Sequence, residues 1–252
     1  MEEIFLEGVF SRRTDVHFYD CDPFGRMKLS AINKTLADIA DEDYAQKGMS
    51  HRWLWDHGFV FLLSKVSILF ERLPSPREIL TVSTWEREIK GASFFRAFAI
   101  RDEAGKTVLT ADSAWMLVNP QTRQILRPSE FPHAHPTFLT AECPPCRKLK
   151  LEGGTLAGQR NIVYSDLDGN GHVYNAVYAD IATDFLPLET LRGALRCYQV
   201  NFVQEAKLGD TLDIWVQQNE QTSVIKGVVG DHDSFLCALE YRPDQDVSGL
   251  VR

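Results

Sequence analysis

The chain has 252 residues, of which 44% are hydrophobic and 25% charged, an ordinary balance for a globular protein. A net charge of -8 argues against nucleic acid as a partner. The longest apolar run, residues 59–70, is too short and too often interrupted to cross a bilayer, so we expect no membrane partner. The acidic start (Met1-Glu2-Glu3) is unlike a targeting segment, and five scattered cysteines do not indicate a disulfide framework. The sequence therefore predicts a cytoplasmic protein.

The chain contains an internal repeat. Residues 16–27 align with residues 162–173, with the aspartates and one glycine in common. Ala37-Asp38-Ile39-Ala40 then matches Ala179-Asp180-Ile181-Ala182 after a short insertion in the first copy, and Ile68-Leu69-Phe70 lies over Val200-Asn201-Phe202. Because the matches stay in order, we infer two copies of one unit. The predicted boundaries are 1–130 for the first unit, 131–159 for a linker and 160–252 for the second unit.

Each copy has a helical pattern followed by strand patterns. Apolar residues at helical spacing predict a helix that ends near Gly48 in the first copy and a helix over 173–186, stopped by Pro187, in the second. These apolar residues are Ile32, Leu36, Ile39 and Tyr44 in the first copy, and Val173, Val177, Ile181 and Phe185 in the second. Strands are predicted at 94–100, 108–118, 212–217, 224–229 and 235–241. The fold class is therefore α+β: two tandem units, each a long helix packed on an antiparallel sheet, which could pair edge strands into one sheet.

The densest polar motif lies directly before the second helix. Asp168, Asn170 and His172 alternate with glycines, which predicts a turn that gathers an acid, an amide and an imidazole. The helix N-terminus behind this turn offers backbone N–H groups for a developing oxyanion. This combination suits hydrolysis of an acyl group, although an Asx-rich turn that only caps a helix would show the same residues.

The first copy has lost these groups. Phe24 stands where Asn170 would be, Arg26 where His172 would be, and Leu73 where the second copy has Glu205. We therefore expect one active site per chain, built mainly on the second copy, with the first copy supplying apolar volume.

Nearly the whole chain resembles one known family. The run Asp168-Gly169-Asn170-Gly171-His172-Val173-Tyr174-Asn175, with Tyr19–Met27 in the first copy and Trp115–Asn119 later, is similar to the fatty acyl-ACP thioesterases, and to bacterial rather than plastid members. The resemblance implies a double hotdog fold and hydrolysis of fatty acyl-ACP in fatty acid biosynthesis. It also implies a site formed by Asp168, Asn170, His172 and Glu205, with acyl carrier protein (ACP) as partner and no cofactor or metal. A homodimer is a family-based expectation.

In this chemistry Glu205 would activate water or attack the thioester directly, and the sequence leaves both roles open. Asn170 and His172 would position the water or polarise the carbonyl, and Asp168 would orient Asn170 or the turn. Ala206 stands where plant members have a cysteine once proposed as a nucleophile, so an active protein would not need one there. The plausible walls of the acyl tunnel are Trp53, Trp55, Phe59, Phe61 and Leu62, which ordinary core packing would also explain.

Several alternatives remain at this stage. The substrate could be an acyl-CoA, or the chain could be a non-catalytic module that binds acyl groups or the carrier. Cys143-Pro144-Pro145-Cys146 is interpreted as a pair of linker cysteines, and His133 with His135 is a weak candidate for a metal site. Basic clusters that could dock an acidic carrier are Arg12-Arg13, Arg147-Lys148-Leu149-Lys150, and Arg192 with Arg196.

Overall fold

The structure is a computed structural model that describes residues 8–133 and 143–243. In this part of the chain, ten strands form one sheet and four α-helices pack on it. The strands are β1 (Val9–Asp15), β2 (Val60–Phe70), β3 (Ile79–Lys90), β4 (Ser93–Asp102), β5 (Thr107–Val118), β6 (Thr155–Asn161), β7 (Leu195–Phe202), β8 (Thr211–Gln218), β9 (Thr222–Val229) and β10 (His232–Tyr241). The helices are α1 (Leu29–Gln46), α2 (His51–Asp56), α3 (Val177–Asp184) and α4 (Leu188–Arg192).

The sheet joins the two halves of the chain edge to edge. Its order is β1-β3-β4-β5-β2-β7-β10-β9-β8-β6, with the first five strands from the N-terminal half and the rest from the C-terminal half. At the junction β2 and β7 are antiparallel, and Ser67 pairs with Gln199. These two residues are also counterparts in the repeat, so a local twofold axis passes between them. The predicted single sheet of two joined units is confirmed.

Each half begins with a strand that the sequence patterns did not predict. β1 and β6 form the two outer edges of the sheet, where they pair with β3 and β8. Both are short and largely polar, as edge strands commonly are, so their hydrophobic pattern is weak. β6 starts at Thr155, inside the segment assigned to the linker, and the unit boundaries stay predictions.

Helix α1 has the predicted buried face, with Ile32 and Ile39 fully enclosed, and Gly48 follows its end at φ +81°. Helix α3, in contrast, begins at Val177 and not at Val173 as predicted. The reason is that Val173 forms an isolated antiparallel bridge with Leu167, so its backbone is extended and not helical. In addition, the N–H of Val173 donates to the carbonyl of Ala206 (3.0 Å), and the N–H of Tyr174 donates to that of Asp166 (2.9 Å). These partners are on neighbouring segments, which holds residues 173 and 174 outside the helix.

The main hydrophobic core is continuous across the two halves. It contains buried residues from α1, α3 and the strands of both repeats, including Phe70, Tyr198 and Phe235. A smaller cluster around Tyr44, Leu54 and Phe131 lies next to α2 in the N-terminal half. None of the helices in the described residues is long and apolar enough to cross a membrane.

Candidate active site

The motif between Leu167 and Val173 folds into a tight hairpin turn. The N–H of Asp168 donates to the carbonyl of His172 (2.9 Å), and the N–H of Gly171 donates to that of Asp168 (3.1 Å). Gly171 has φ +79°, a conformation that favours glycine. Asp168 Oδ1 accepts from the backbone N–H of Asn170 (2.8 Å), and Asp168 Oδ2 lies 3.5 Å from Asn170 Nδ2. Asp168 therefore shapes the turn and restrains the Asn170 amide.

The first copy folds into the same turn, but an arginine side chain stands where the second copy has its histidine. The N–H of Gly25, at φ +70°, donates to the carbonyl of Asp22 (3.0 Å), as in the second copy. Arg26, the counterpart of His172, donates to Asp22 Oδ2 (3.0 Å) and to the carbonyls of Leu191 and Gly193 at the end of α4. A cation at a helix C-terminus is a stabilising arrangement. The Arg26 side chain thus ties the two halves together where the second copy presents an imidazole.

Glu205 lies on the loop that follows β7 and reaches the turn. Its Oε2 is 3.2 Å from His172 Nε2 and 3.1 Å from Arg123 Nη1. The backbone joins the same two segments, since His172 and Lys207 form an isolated antiparallel bridge. The structure therefore brings together His172 and Glu205, which are far apart in the sequence, and places Asp168 and Asn170 in the adjoining turn.

A buried hydroxyl holds the loop that carries Glu205. Tyr178 on α3 accepts a hydrogen bond from the N–H of Ala206 (3.1 Å) and lies 3.3 Å from Ser234 Oγ, which donates to the carbonyl of Gln204 (2.8 Å). Burial raises the pKa of Tyr178, so this hydroxyl stays protonated. The loop is thus fixed on both sides of Glu205.

Tyr178→Phe is expected to lower kcat several-fold and to reduce the free energy of unfolding by about 1–3 kcal/mol. The reason is that the N–H of Ala206 would lose the acceptor that Tyr178 provides, and a buried donor without a partner costs about that much. Steady-state kinetics and urea denaturation measure the two effects. Tyr19→Phe is the matched control, because the Tyr19 side chain is 73% exposed. An equal effect in both variants would contradict the role given to Tyr178.

The four candidate residues line one cavity of about 830 Å³. Its walls come from both halves of the chain, and the N-terminal half contributes mainly aromatic and aliphatic side chains. Of the five predicted wall residues, four line the cavity, namely Trp55, Phe59, Phe61 and Leu62. The fifth, Trp53, packs against the smaller hydrophobic cluster instead. Asn175, just before α3, also lines the cavity.

Charged residues form part of the same cavity wall. Arg96 and Glu86 both line it, and their side chains are 4% and 3% exposed. Arg96 Nη1 lies 2.7 Å from Asp43 Oδ2, and Lys47 Nζ lies 2.9 Å from the same oxygen. The guanidinium of Arg96 also lies over the ring of Tyr44. The cavity is therefore apolar over most of its surface and has one buried, paired set of charges.

Among the described residues, the other sequence candidates do not line this cavity. Cys143 and Cys146 are free thiols that point to the carbonyls of Ser67 (3.5 Å) and Asp112 (3.2 Å). Burial raises the pKa of Cys143 to about 11, which makes it a poor nucleophile at neutral pH. His133 Nε2 lies 3.3 Å from a carboxylate oxygen of Glu86. His135 lies outside the described residues.

Three arginines of the basic clusters form ion pairs. Arg12 pairs with Asp38 and Glu42, Arg13 with Glu103, and Arg147 with Glu240. Arg192 lies over the ring of Phe24, beside Arg26. None of these arginines lines the cavity.

Comparison with known families gives a clear result. The model of the acyl-ACP thioesterase N-terminal domain matches residues 7–131, and that of the C-terminal domain matches residues 156–241. The chain belongs to the acyl-ACP thioesterase family. The family resemblance and the double hotdog fold predicted from the sequence are confirmed.

Individual relatives are distant. The chain is 25% identical over 135 residues to the chloroplastic palmitoyl-acyl carrier protein thioesterase of Arabidopsis thaliana, which covers 50% of this chain and 33% of that protein. The chain spans between a third and a half of the length of the curated relatives it matches. The crystal structure of an acyl-ACP thioesterase from Bacteroides thetaiotaomicron has a TM-score of 0.85 at 20% identity, covering 93% of this chain and 98% of that one. The 12:0-ACP thioesterase from Umbellularia californica has a TM-score of 0.78 at 17% identity, covering 95% and 99%.

Two residues at the site were missed by the sequence reasoning. Tyr178 was treated only as part of an amphipathic helix, and nothing in the sequence pairs it with Ala206. Arg123 lies in the first repeat, four residues after the Trp115–Asn119 segment. Its one sequence signal is that this polar turn follows a strongly apolar strand.

Proposed function

We propose that this protein hydrolyses fatty acyl-ACP thioesters and releases a free fatty acid and the carrier thiol. The observation that carries the proposal is the contact between His172 and Glu205 on the wall of a large, mostly apolar cavity. Membership of the acyl-ACP thioesterase family supports the same substrate class. In the first copy Arg26 occupies the position of His172, which supports one active site per chain.

In the proposed mechanism Glu205 acts as the general base. Its Oε2 accepts a hydrogen bond from Arg123 and lies 3.2 Å from His172 Nε2. Among the described residues, Oε1 of Glu205 has no hydrogen-bond partner, which leaves it free to take a proton from water. The hydroxide adds to the thioester carbonyl, the C–S bond breaks, and the proton held by Glu205 passes to the departing thiolate.

The developing oxyanion needs hydrogen-bond donors from this chain. The N–H groups of Val173 and Tyr174 already donate to backbone carbonyls. They therefore cannot bind the oxyanion, the role that the sequence analysis predicted for the N–H groups at the helix N-terminus. We assign the role to the side-chain amide of Asn170, which Asp168 restrains through the backbone and the Nδ2 contact. Asp168 then acts through Asn170 and does not touch the substrate.

The acyl chain would occupy the cavity, against the apolar residues of the N-terminal half. We propose ACP, with its phosphopantetheine arm reaching Glu205, as the partner that delivers the chain. We further propose that the enzyme works in the cytoplasm, in keeping with its five free cysteines, and that it forms a homodimer.

One assay tests the choice of carrier. The same fatty acyl group is presented on ACP, on CoA and on pantetheine, and free thiol is measured over time. We expect the highest kcat/KM with acyl-ACP. A higher kcat/KM with acyl-CoA would contradict ACP as the carrier while keeping the hydrolase, and release from none of the three would contradict hydrolysis itself.

A further inference from the structure

Arg123 belongs to the N-terminal half but touches the candidate catalytic carboxylate of the C-terminal half. Its Nη1 is 3.1 Å from Glu205 Oε2, the same oxygen that lies 3.2 Å from His172 Nε2. The guanidinium therefore reaches the site from the other side of the repeat junction. It contacts the same Glu205 oxygen as the His172 imidazole.

The turn that carries Arg123 has an unusual backbone conformation. Arg123 has φ +58°, which non-glycine residues adopt infrequently. Its N–H donates to the carbonyl of Asn119 (2.8 Å), and Asn119 Oδ1 accepts from the N–H groups of Gln121 and Thr122 (both 3.0 Å). A left-handed residue other than glycine carries a cost of order 1 kcal/mol and is often found at functional sites.

A different contact crosses the junction on the other side of the local twofold axis. β10 is the counterpart of β5, and Arg242, which follows β10, donates to the backbone carbonyls of Phe70 (2.6 Å), the last residue of β2, and Glu71 (3.3 Å). In each half, an arginine after the fifth strand thus contacts the other half at or just after its central strand, although the two arginines are not counterparts in the repeat. Only in the C-terminal half does the loop after the central strand carry the glutamate, because its counterpart in the first half is Leu73.

We propose that Arg123 is a positioning residue for hydrolysis: it holds Glu205 Oε2 against His172 so that Oε1 faces the water. This inference rests on the proposed function. Arg123 is 66% and Glu205 36% exposed at the side chain. An ion pair at such exposure adds little to folding stability. The expected effect of losing it is therefore on turnover and not on the fold.

The test exploits the left-handed conformation. Arg123→Gly removes the guanidinium, and glycine adopts φ +58° without strain. We expect kcat for acyl-ACP to fall about 10–100-fold, as for a misplaced catalytic group, with KM and Tm close to the wild-type values. Guanidinium chloride at millimolar concentration should restore part of the lost kcat, while sodium chloride at the same ionic strength should not. Arg123→Lys should retain more activity than Arg123→Gly.

Arg127→Gln is the matched control, because Arg127 is an exposed arginine on the same connection and should leave kcat and KM unchanged. A rise in KM with kcat unchanged would overturn the inference, since it would show that Arg123 binds the carrier and does not position Glu205. Equal kinetics for Arg123→Gly and the wild type would also overturn it. That result is distinct from failure of the proposed function, in which the wild type itself releases no thiol.

Discussion

Glu205→Gln should lower kcat for thioester hydrolysis by about 10²–10⁴-fold, the usual range for loss of a general base. The amide keeps the size of the side chain and can still accept a hydrogen bond from Arg123, so the loop should hold its position. It cannot take a proton from water, however. KM and Tm should therefore stay near the wild-type values, which steady-state thiol release and thermal unfolding measure.

Glu220→Gln serves as the control for this result, because Glu220 is an exposed glutamate in the turn between β8 and β9. If Glu205 and His172 act as a unit, Glu205→Gln combined with His172→Gln should be hardly slower than the slower single variant. If the fold-loss of kcat in the double variant equalled the product of the two single losses, a shared role would be contradicted. If folded Glu205→Gln had a kcat near the wild-type value, Glu205 would not be the general base.

Arg96→Met should reduce the free energy of unfolding by about 3 kcal/mol. Removal of one partner from a buried ion pair typically costs about 3–5 kcal/mol, because the other charge is left without compensation inside the protein. Here Asp43 and Glu86 would both lose Arg96 while their side chains are 5% and 3% exposed. Lys47 still reaches both carboxylates, which places the expected loss at the lower end of the range.

Chemical denaturation monitored by intrinsic fluorescence measures this loss. Arg52→Met is the control, since Arg52 is 91% exposed at its side chain and 3.6 Å from Asp56, and removing such a pair should change stability by less than about 0.5 kcal/mol. A loss below about 1 kcal/mol in Arg96→Met would show that the buried charges are compensated in another way.

The repeat made much of the fold predictable from the sequence. The in-order matches predicted a repeat that forms one sheet, and alternating or β-branched runs located β4, β5, β8, β9 and β10. The start of α3 could not be predicted, because Val173 continues the apolar spacing of the helix. Its backbone is nevertheless extended in a bridge with Leu167, a contact that exists only after the motif has folded into its turn.

The candidate site could be proposed from the sequence where its residues stand next to each other. Asp168, Asn170 and His172 form one motif, and Glu205 could be added only through the family resemblance. Arg123 was not predictable in this way. It comes from the other repeat, and only the pairing of β2 with β7 brings its turn to Glu205. Residues that meet across a pseudo-symmetric junction leave no local pattern.

The most direct test of the account is a paired measurement on acyl-ACP with wild-type protein and Glu205→Gln. Free thiol is followed by a colorimetric reagent, and binding of acyl-ACP to the variant is followed by calorimetry. The account predicts that the wild type releases thiol over many turnovers, while the variant binds acyl-ACP but releases almost none. Binding without thiol release by the wild type would contradict the account and favour a non-catalytic acyl-binding module.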